Sequence, residues 1–312
     1  MSDLTGATRQ SPAPSTPARA RRGRPQSQWW TVWVFLMPAL LLFLYFKFIP
    51  MFAGIEMSFQ QVRPFLGNLW VGWDNYARVV TDPRFHSAIS NTILLGVGQS
   101  VGAVLGGLLL ALLLEGPSRV LWFIRTAAFL PVVTATAVVG EIWRIIFFPA
   151  PNGFLNSVIG LFGMGPLRYL EDPAIAIYSV MAVGIWQNAP YYMVIFLAGL
   201  AGVDRSLYEA AAIDGAKLRH RLLYVTLPAL RPAMMIVMVL AAVRCLRVFT
   251  DVWVLTGGGP AGATEVWMTR IYSLGFERNQ IGLAAAASIL LLITSVVLTM
   301  LAVYLTRARR VK

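Results

Sequence analysis

The chain has 312 residues, of which 57% are hydrophobic and 13% charged, and its mean hydropathy is +0.66. A soluble globular domain carries roughly 25% charged residues, so this composition excludes a water-soluble fold. The single cysteine, Cys245, excludes a disulfide scaffold and a thiolate metal cluster built from this chain. The composition therefore predicts a membrane protein, and its net charge of +12 must be located before it can be interpreted.

The N-terminal segment differs in composition from the rest of the chain. Residues 1–28 are rich in Ser, Pro, Ala and Arg. Such a segment cannot bury enough apolar area to fold, so we expect a disordered cytoplasmic tail over residues 1–28. The apolar run that begins at Trp29 is longer than the roughly 7–15 residues of a secretory signal core. We therefore expect residues 29–312 to form one membrane domain.

Six apolar runs with few charges are long enough to cross a membrane, which takes about 20 helical residues. They cover residues 29–50, 92–114, about 126–148, 174–200, about 228–249 and 281–305. The runs are continuous, whereas the strands of a membrane barrel alternate in polarity, so helices are favoured. The sequence predicts an all-α, polytopic membrane protein with six transmembrane helices.

The basic residues indicate how these spans are oriented. With the N-terminus in the cytoplasm, 16 basic residues fall on the cytoplasmic side and 8 on the outer side. Arg244 and Arg247 lie within the fifth span. Positive residues concentrate on the cytoplasmic side of membrane proteins, so both termini are expected there. The excess charge is thus mostly a topology signal, and no nucleic-acid partner is expected.

Several catalytic devices are missing from the sequence. The three lysines, Lys47, Lys217 and Lys312, do not follow a glycine, so the chain has no G-x-x-x-x-G-K-[ST] phosphate loop and is not expected to hydrolyse ATP. His86 and His220 fall on opposite sides of the membrane in the predicted topology, so they cannot share a metal. We expect no catalytic residue and no metal site, and an intramembrane enzyme remains only as an alternative.

The loop between the fourth and fifth spans, residues 203–232, has the pattern of two short helices. Ser206 and Glu209 have the spacing of a capping box, which predicts a helix start. Gly215 can supply the left-handed turn that ends this helix, and Pro228 suits the first turn of the fifth span. The spacing predicts a helix-turn-helix elbow in the cytoplasm, with an ordinary amphipathic loop as the alternative.

Residues in this loop resemble a known motif. EAA at 209–211, DGA at 214–216 and TLP at 226–228 resemble the EAA motif of binding-protein-dependent ABC importer permeases of the maltose and glycerol-3-phosphate type. GWDNY at 72–76 and LTGGGP at 255–260 resemble stretches of the same family. The resemblance implies a MetI-like permease fold over residues 29–312. Within this fold, it implies that the elbow couples to an ATPase through Glu209, Ala210, Ala211, Asp214, Gly215, Leu227 and Pro228.

The resemblance also implies the function and its partners. A permease of this family imports a sugar or related solute across the cytoplasmic membrane, and a non-sugar solute such as glycerol phosphate is the alternative. The expected partners, besides the lipid bilayer, are a second permease subunit in a heterodimer, two ATPase subunits that bind ATP and Mg²⁺, and an extracytoplasmic solute-binding protein. No cofactor is expected in this chain. Glu209 and Asp214 could pair with basic groups of the ATPase, although Glu209 could also serve only the capping box.

The fourth span carries amides and aromatic residues near its middle, where Pro190 removes one backbone hydrogen bond. Amides can bind sugar hydroxyls and aromatic rings can stack on the C–H faces of a sugar. These residue types indicate a solute pathway at Gln187, Asn188, Tyr191 and Tyr192. Hydrogen bonding between helices is the alternative for Gln187 and Asn188. Glycines in the second span are expected to serve close helix packing, at positions Gly98, Gly102 and Gly106.

The fifth span carries charges toward its C-terminal end. Arg244, Arg247 and Asp251 would share one face of a continuous helix, and Arg247 could pair with Asp251. Charged residues inside a span should face the bundle interior or water. We expect either a gate or solute contact, or a structural ion pair, at this place.

Overall fold

The computed structural model describes residues 28–308, and these divide after Phe52 into two compact units. The predicted tail, residues 1–28, lies outside the described residues except for Gln28. Residues 309–312 also lie outside them.

The first unit is helical. It contains helix α1 (Gln28–Phe43), a π-helical turn (Leu44–Phe48) and the first four residues of α2 (Ile49–Ser58), whose remaining residues belong to the second unit. The stretch Trp30–Ser58 is long and apolar enough to span a membrane, so the first predicted span is a helix that extends past residue 50. Its large side chains are exposed within the chain, as Phe35 at 80% and Phe46 at 70% show. A surface of this kind requires lipid or another protein around it.

The second unit is almost entirely helical. A two-stranded antiparallel sheet, β1 (Gln60–Gln61) and β2 (Leu69–Trp70), pairs Gln60 with Trp70. The helices that follow are α3 (Asp74–Thr81), α4 (Pro83–Leu113), α5 (Arg119–Val133), α6 (Thr136–Ile146), α7 (Phe154–Gly160), α8 (Ala176–Ala201), α9 (Arg205–Ile213), α10 (Leu218–Arg221), α11 (Leu227–Ala229), α12 (Arg231–Cys245), α13 (Thr250–Thr256), α14 (Trp267–Tyr272) and α15 (Ile281–Ala308). Two π-helical turns (Leu222–Thr226 and Ser273–Glu277) join α10 to α11 and follow α14.

Three of the remaining predicted spans are continuous helices, α4, α8 and α15. Helix α4 begins at Pro83, ahead of the predicted start at residue 92, because the side chain of Asp82 accepts a hydrogen bond from the backbone of Arg84 and caps the helix. Residues 83–91 are too polar to be found by hydropathy, yet they are helical. Four stretches of the described residues, with the first unit included, are thus candidate spans, or six if each bent helix pair crosses once.

The third and fifth predicted spans are not single continuous helices. Helices α5 and α6 meet at an angle of 101°, and the α10–α11 segment meets α12 at 66°. The first bend follows Pro131, which has no N–H to donate, and passes through Thr134 in an extended conformation. The second bend lies at Leu230, two residues before Pro232, which likewise cannot donate to the preceding turn.

The centre of the second unit is the pair α4 and α8, against which α5 and α12 pack. The glycines predicted to serve packing do so. A side chain at Gly98, Gly102 or Gly106 would contact Met181, Ile185 or Ala189 of α8, respectively. The side chains of α8 that point into this centre are among the most buried in the protein: Val180, Val183, Tyr192, Met193 and Phe196.

Candidate functional site

The predicted elbow is a real helical turn, but its first helix is capped differently from the prediction. Helix α9 begins at Arg205, and the side chain of Asp204, not that of Ser206, accepts the capping hydrogen bond from the backbone of Ser206 at 2.9 Å. Hydrogen bonds from the backbone and the side chain of Ser206 lower the pKa of the Asp204 carboxyl. The capping box at Ser206 and Glu209 is therefore not formed.

Gly215 ends this helix as the sequence predicts. Its φ of +70° is left-handed, and the backbone N–H groups of Gly215 and Ala216 donate to the carbonyls of Ala212 and Ala211. This pair of hydrogen bonds is a Schellman motif, which needs a positive φ at the glycine. The hydroxyls of Tyr208 and Thr226, 3.1 Å apart, then join α9 to the second arm of the elbow.

The elbow presents charged and apolar groups to its surroundings. Glu209 and Asp214 are exposed, and neither carboxylate has a hydrogen-bond partner among residues 28–308. Ile213 and Leu218 beside them are 87% and 85% exposed. Exposed large apolar side chains with polar groups around them are typical of a surface that binds another protein. The other residues of the predicted motif lie on the same segment, with Ala210 and Ala211 in α9 and Leu227 and Pro228 in α11.

A second site lies in the middle of α8. The guanidinium of Arg244 donates to Oδ1 of Asn188 at 2.6 Å and stands over the ring of Tyr191, 4.8 Å from its centroid. The amide of Asn188 donates in turn to the carbonyl of Gly184 at 2.8 Å. The rings of Tyr191 and the buried Tyr192 are in edge contact, with centroids 5.5 Å apart. The structure thus brings together residues that the sequence places on two different spans.

Gln99 of α4 belongs to the same cluster and was missed by the sequence analysis. Its side chain is buried and donates to the carbonyl of Val180 at 3.3 Å and to Asp251 at 3.4 Å. A side chain at Gly184 would collide with this amide, so the glycine makes room for it. The sequence feature that could have identified Gln99 is that it is a glutamine within a span that has no charged residue.

The predicted pairing of Arg247 with Asp251 was wrong. Helix α12 ends at Cys245 and α13 begins at Thr250, so the two residues are not one turn apart on a continuous helix. Asp251 hydrogen-bonds to Gln99 instead. The exposed side chain of Arg247 makes no hydrogen bond or ion pair with the described residues.

The cluster lines a cavity of about 310 Å³. Its wall includes the predicted residues Gln187, Asn188, Arg244, Arg247 and Asp251. A smaller space of about 40 Å³, on the Tyr192 side of Asn188 and Arg244, is large enough for a water molecule. We refer to Asn188, Tyr191, Arg244, Gln99 and Asp251 as the polar cluster.

A third group of charges, also missed by the sequence analysis, lies near the start of α4. The guanidinium of Arg270, in α14, contacts Asp82 at 2.8 Å and Glu265 at 3.5 Å, and only 4% of its side chain is exposed. Burial acts to raise the pKa of Asp82, but the hydrogen bonds from Arg270 and from the backbone of Arg84 outweigh it and the pKa is lowered. These three residues form a buried clasp between segments far apart in sequence.

The chain was compared with known proteins. Residues 103–311 match the model of the family described as binding-protein-dependent transport system inner membrane component. The chain belongs to this family. The permease is thus a multi-pass membrane component of a transport system, and the resemblance found in the EAA motif is confirmed.

Individual relatives cover nearly the whole chain. The permease is 33% identical to the probable ABC transporter permease protein YurN of Bacillus subtilis, over 86% of this chain and 93% of the relative. It is 30% identical to the trehalose/maltose transport system permease protein MalF of Thermococcus litoralis, over 89% and 93%. A chain of a crystal structure of a bacterial ABC transporter involved in import of the acidic polysaccharide alginate is 25% identical, with a TM-score of 0.81 over 90% of this chain and 96% of that chain.

Proposed function

We propose that the permease is a transmembrane subunit of an ABC importer that carries a sugar or oligosaccharide across the cytoplasmic membrane. The polar cluster carries this proposal, because its amides and its cation line one cavity in the middle of α8, and the cation lies over the ring of Tyr191. Such a mixture of few polar groups with aromatic surface is typical of small-molecule sites. The names of the relatives, which include a trehalose/maltose system and an alginate importer, support the solute class.

The alternative solute is an anion such as glycerol phosphate. Arg244 and Arg247 both line the cavity of the polar cluster, whereas Asp251 is the only carboxylate there. An excess of one positive charge favours an anionic ligand, and arginine binds phosphate and carboxylate groups well. Sugars that carry a carboxylate, such as uronic acids, would fit both the amides and aromatic ring of the polar cluster and the excess positive charge of the cavity.

Transport by the reconstituted importer tests this proposal. Proteoliposomes that contain the permease, its second permease subunit and the ATPase pair are supplied with the solute-binding protein, ATP and radiolabelled maltose, galacturonate oligomers or glycerol 3-phosphate. We expect ATP-dependent uptake of at least one saccharide. Uptake of glycerol phosphate alone would replace the sugar assignment, and uptake of none of the three would contradict the proposal.

The importer we propose is a heterodimer of two permease subunits, with two ATPase subunits that bind ATP and Mg²⁺ and an extracytoplasmic binding protein. Both termini and the elbow of this chain lie in the cytoplasm, and the loop at residues 257–265 lies outside. ATP closes the ATPase pair, and this biases the permease only if the elbow is bound differently in the two states. The exposed carboxylates of Glu209 and Asp214 are the groups that would meet basic residues of the ATPase.

Gly215 offers a test of coupling through the elbow. Its φ is +70° and a side chain would meet no atom within 4 Å, so a substitution acts through backbone strain and not through a clash. We expect Gly215→Val to reduce solute-stimulated ATPase activity about tenfold or more, while Gly215→Asn, which tolerates a left-handed conformation, retains most of it.

Gly67→Val is the matched control, because Gly67 also has a positive φ of +79° and open space around it, but lies in the loop between β1 and β2. The amount of assembled complex in the membrane is measured alongside. Normal coupling in Gly215→Val, with the complex assembled, would contradict the role of the elbow.

A further inference from the structure

A second, larger cavity is lined by none of the residues of the polar cluster. It has a volume of about 770 Å³, within the roughly 300–1,000 Å³ of small-molecule sites. Its wall consists of the first turns of α4, the glycine-rich loop 257–263 and the segment after α14. The side chain of Asn91 holds the loop in place by donating to the carbonyls of Ala263 and Glu265, at 3.1 and 3.0 Å. We call this space the loop cavity.

Trp253, which lines this cavity, belongs to a group of four aromatic side chains in mutual contact. The rings of Phe249 and Trp253 are stacked with centroids 5.8 Å apart, Trp253 and Tyr272 lie 4.4 Å apart, and Tyr272 and Phe276 are stacked at 5.0 Å. Phe276 is 79% exposed, and the other three rings are partly exposed. Phe249 also contacts Tyr272, with ring centroids 5.9 Å apart, so the four rings form one continuous aromatic group that is not fully buried. We refer to these four residues as the aromatic ladder.

Two neighbouring rings of the aromatic ladder each line one of the two cavities. Phe249 lines the cavity of the polar cluster, together with Arg247 and Asp251. Trp253, one helical turn further along the chain, lines the loop cavity. A molecule that moves along the ladder from Trp253 to Phe249 therefore passes from the loop cavity to the polar cluster.

The chemistry of this route fits a carbohydrate chain. The apolar C–H face of a sugar ring can stack on an aromatic ring, and such contact is tolerant of position, which allows sliding. The wall of the loop cavity adds polar groups that can bind hydroxyls, among them the side chains of Ser87, Glu277 and Arg278. Both signs of charge are present in this wall, so it does not select strongly for an anion or a cation.

We propose that the loop cavity is a loading site for an oligosaccharide, and that the aromatic ladder passes successive sugar rings from it to the polar cluster. This inference rests on the proposed function, in which the solute is a saccharide and the loop cavity faces the outside. It adds a second binding region to the polar cluster. It also implies that chains of several sugar units contact both regions at once.

The experiment compares variants that keep or remove an aromatic face. Trp253→Phe and Tyr272→Phe keep a ring, whereas Trp253→Leu and Tyr272→Leu replace it by an aliphatic side chain. Uptake by the complete reconstituted importer is measured for maltooligosaccharides and oligogalacturonates, from the monosaccharide to the pentasaccharide. Trp70→Leu is the control, because Trp70 is exposed and stacked on Phe59 but lies apart from both cavities.

We expect kcat/KM for trisaccharides and longer chains to fall about tenfold in the Leu variants, which corresponds to roughly 1.4 kcal/mol of lost binding. Mono- and disaccharide uptake should change much less, and the Phe variants and Trp70→Leu should resemble the wild type. Unchanged uptake in the Leu variants, or an equal loss for every chain length, would overturn the ladder while leaving the importer function intact. Failure of the wild type to import any saccharide would instead overturn the proposed function.

Discussion

Arg270 and Arg244 differ in how their charges are balanced. Arg270 is 4% exposed and lies between two carboxylates, Asp82 and Glu265. Arg244 is exposed, and its closest partners are the neutral amide of Asn188 and the ring of Tyr191. A buried charge that is already neutralised can do little but hold segments together, whereas a charge with neutral partners beside a cavity remains available to a ligand. The comparison separates a structural arginine from one that can bind solute.

The largest effect expected from this comparison is on stability. Arg270→Ala leaves Asp82 and Glu265 without their cation, and breaking a buried ion pair in this way typically costs about 3–5 kcal/mol. We expect a lower melting temperature of the purified complex in detergent, measured by its thermal unfolding. Arg78→Ala, an exposed arginine of α3 near Asp82, is the control and should melt like the wild type. A normal melting temperature in Arg270→Ala would show that the clasp is not structural.

Arg244→Ala, in contrast to Arg270→Ala, should affect uptake more than stability. The hydrogen bond of a charged group is worth about 1.5–3 kcal/mol, so loss of the solute contact should reduce uptake at least tenfold. The melting temperature should change less than in Arg270→Ala, because Arg244 is exposed and forms no salt bridge with a carboxylate of the described residues. Arg244→Lys keeps the charge without the planar guanidinium, so its uptake should lie between that of the wild type and that of Arg244→Ala. Normal uptake kinetics in Arg244→Ala would remove Arg244 from the solute pathway.

Part of the polar cluster was predictable from the sequence, because polar or charged residues are unusual within membrane-spanning segments. Asn188 and Arg244 are polar residues within apolar runs, and such residues have few reasons to be there. Gln99 could not be joined to them, because its contact with Asp251 spans 152 positions and depends on the packing of α4 and α13 against α8. The pairing of Arg247 with Asp251 was predicted wrongly because the spacing rule assumes a helix that in fact ends at Cys245.

The fold likewise has features that the sequence predicts and features that it does not. Hydropathy finds a continuous helix such as α8 well, since each of its residues contributes to the signal. Bends depend on a few residues, as at Pro131 and Leu230, and an average over a window hides them. The cap of α9 also could not be decided, because Asp204 and Ser206 are both good capping residues and only the backbone geometry selects between them.

The stability that Asp82 contributes to the clasp should depend on pH. The pKa of Asp82 is lowered in the folded protein, so its stabilising effect is fully present above the unfolded value of about 3.9 and is lost as the pH falls below it. We expect Asp82→Asn to lose about 1.5 kcal/mol near neutral pH, less than Arg270→Ala, because Glu265 remains. The difference in melting temperature between wild type and variant should stay constant between pH 6 and 8 and shrink as the pH falls below about 4. A difference that grows on acidification would contradict this assignment.

The smallest effect is expected at Arg247, which has neither the carboxylates of Arg270 nor the amide of Arg244. Arg247→Ala should change the stability by no more than about 0.5 kcal/mol, since its exposed side chain has no partner among residues 28–308. It still lines the cavity, so its charge acts on a solute at a distance. We expect a reduction of a few fold in uptake of oligogalacturonates and none for maltooligosaccharides, measured side by side. Equal losses for both would mean that Arg247 shapes the cavity and does not select charge.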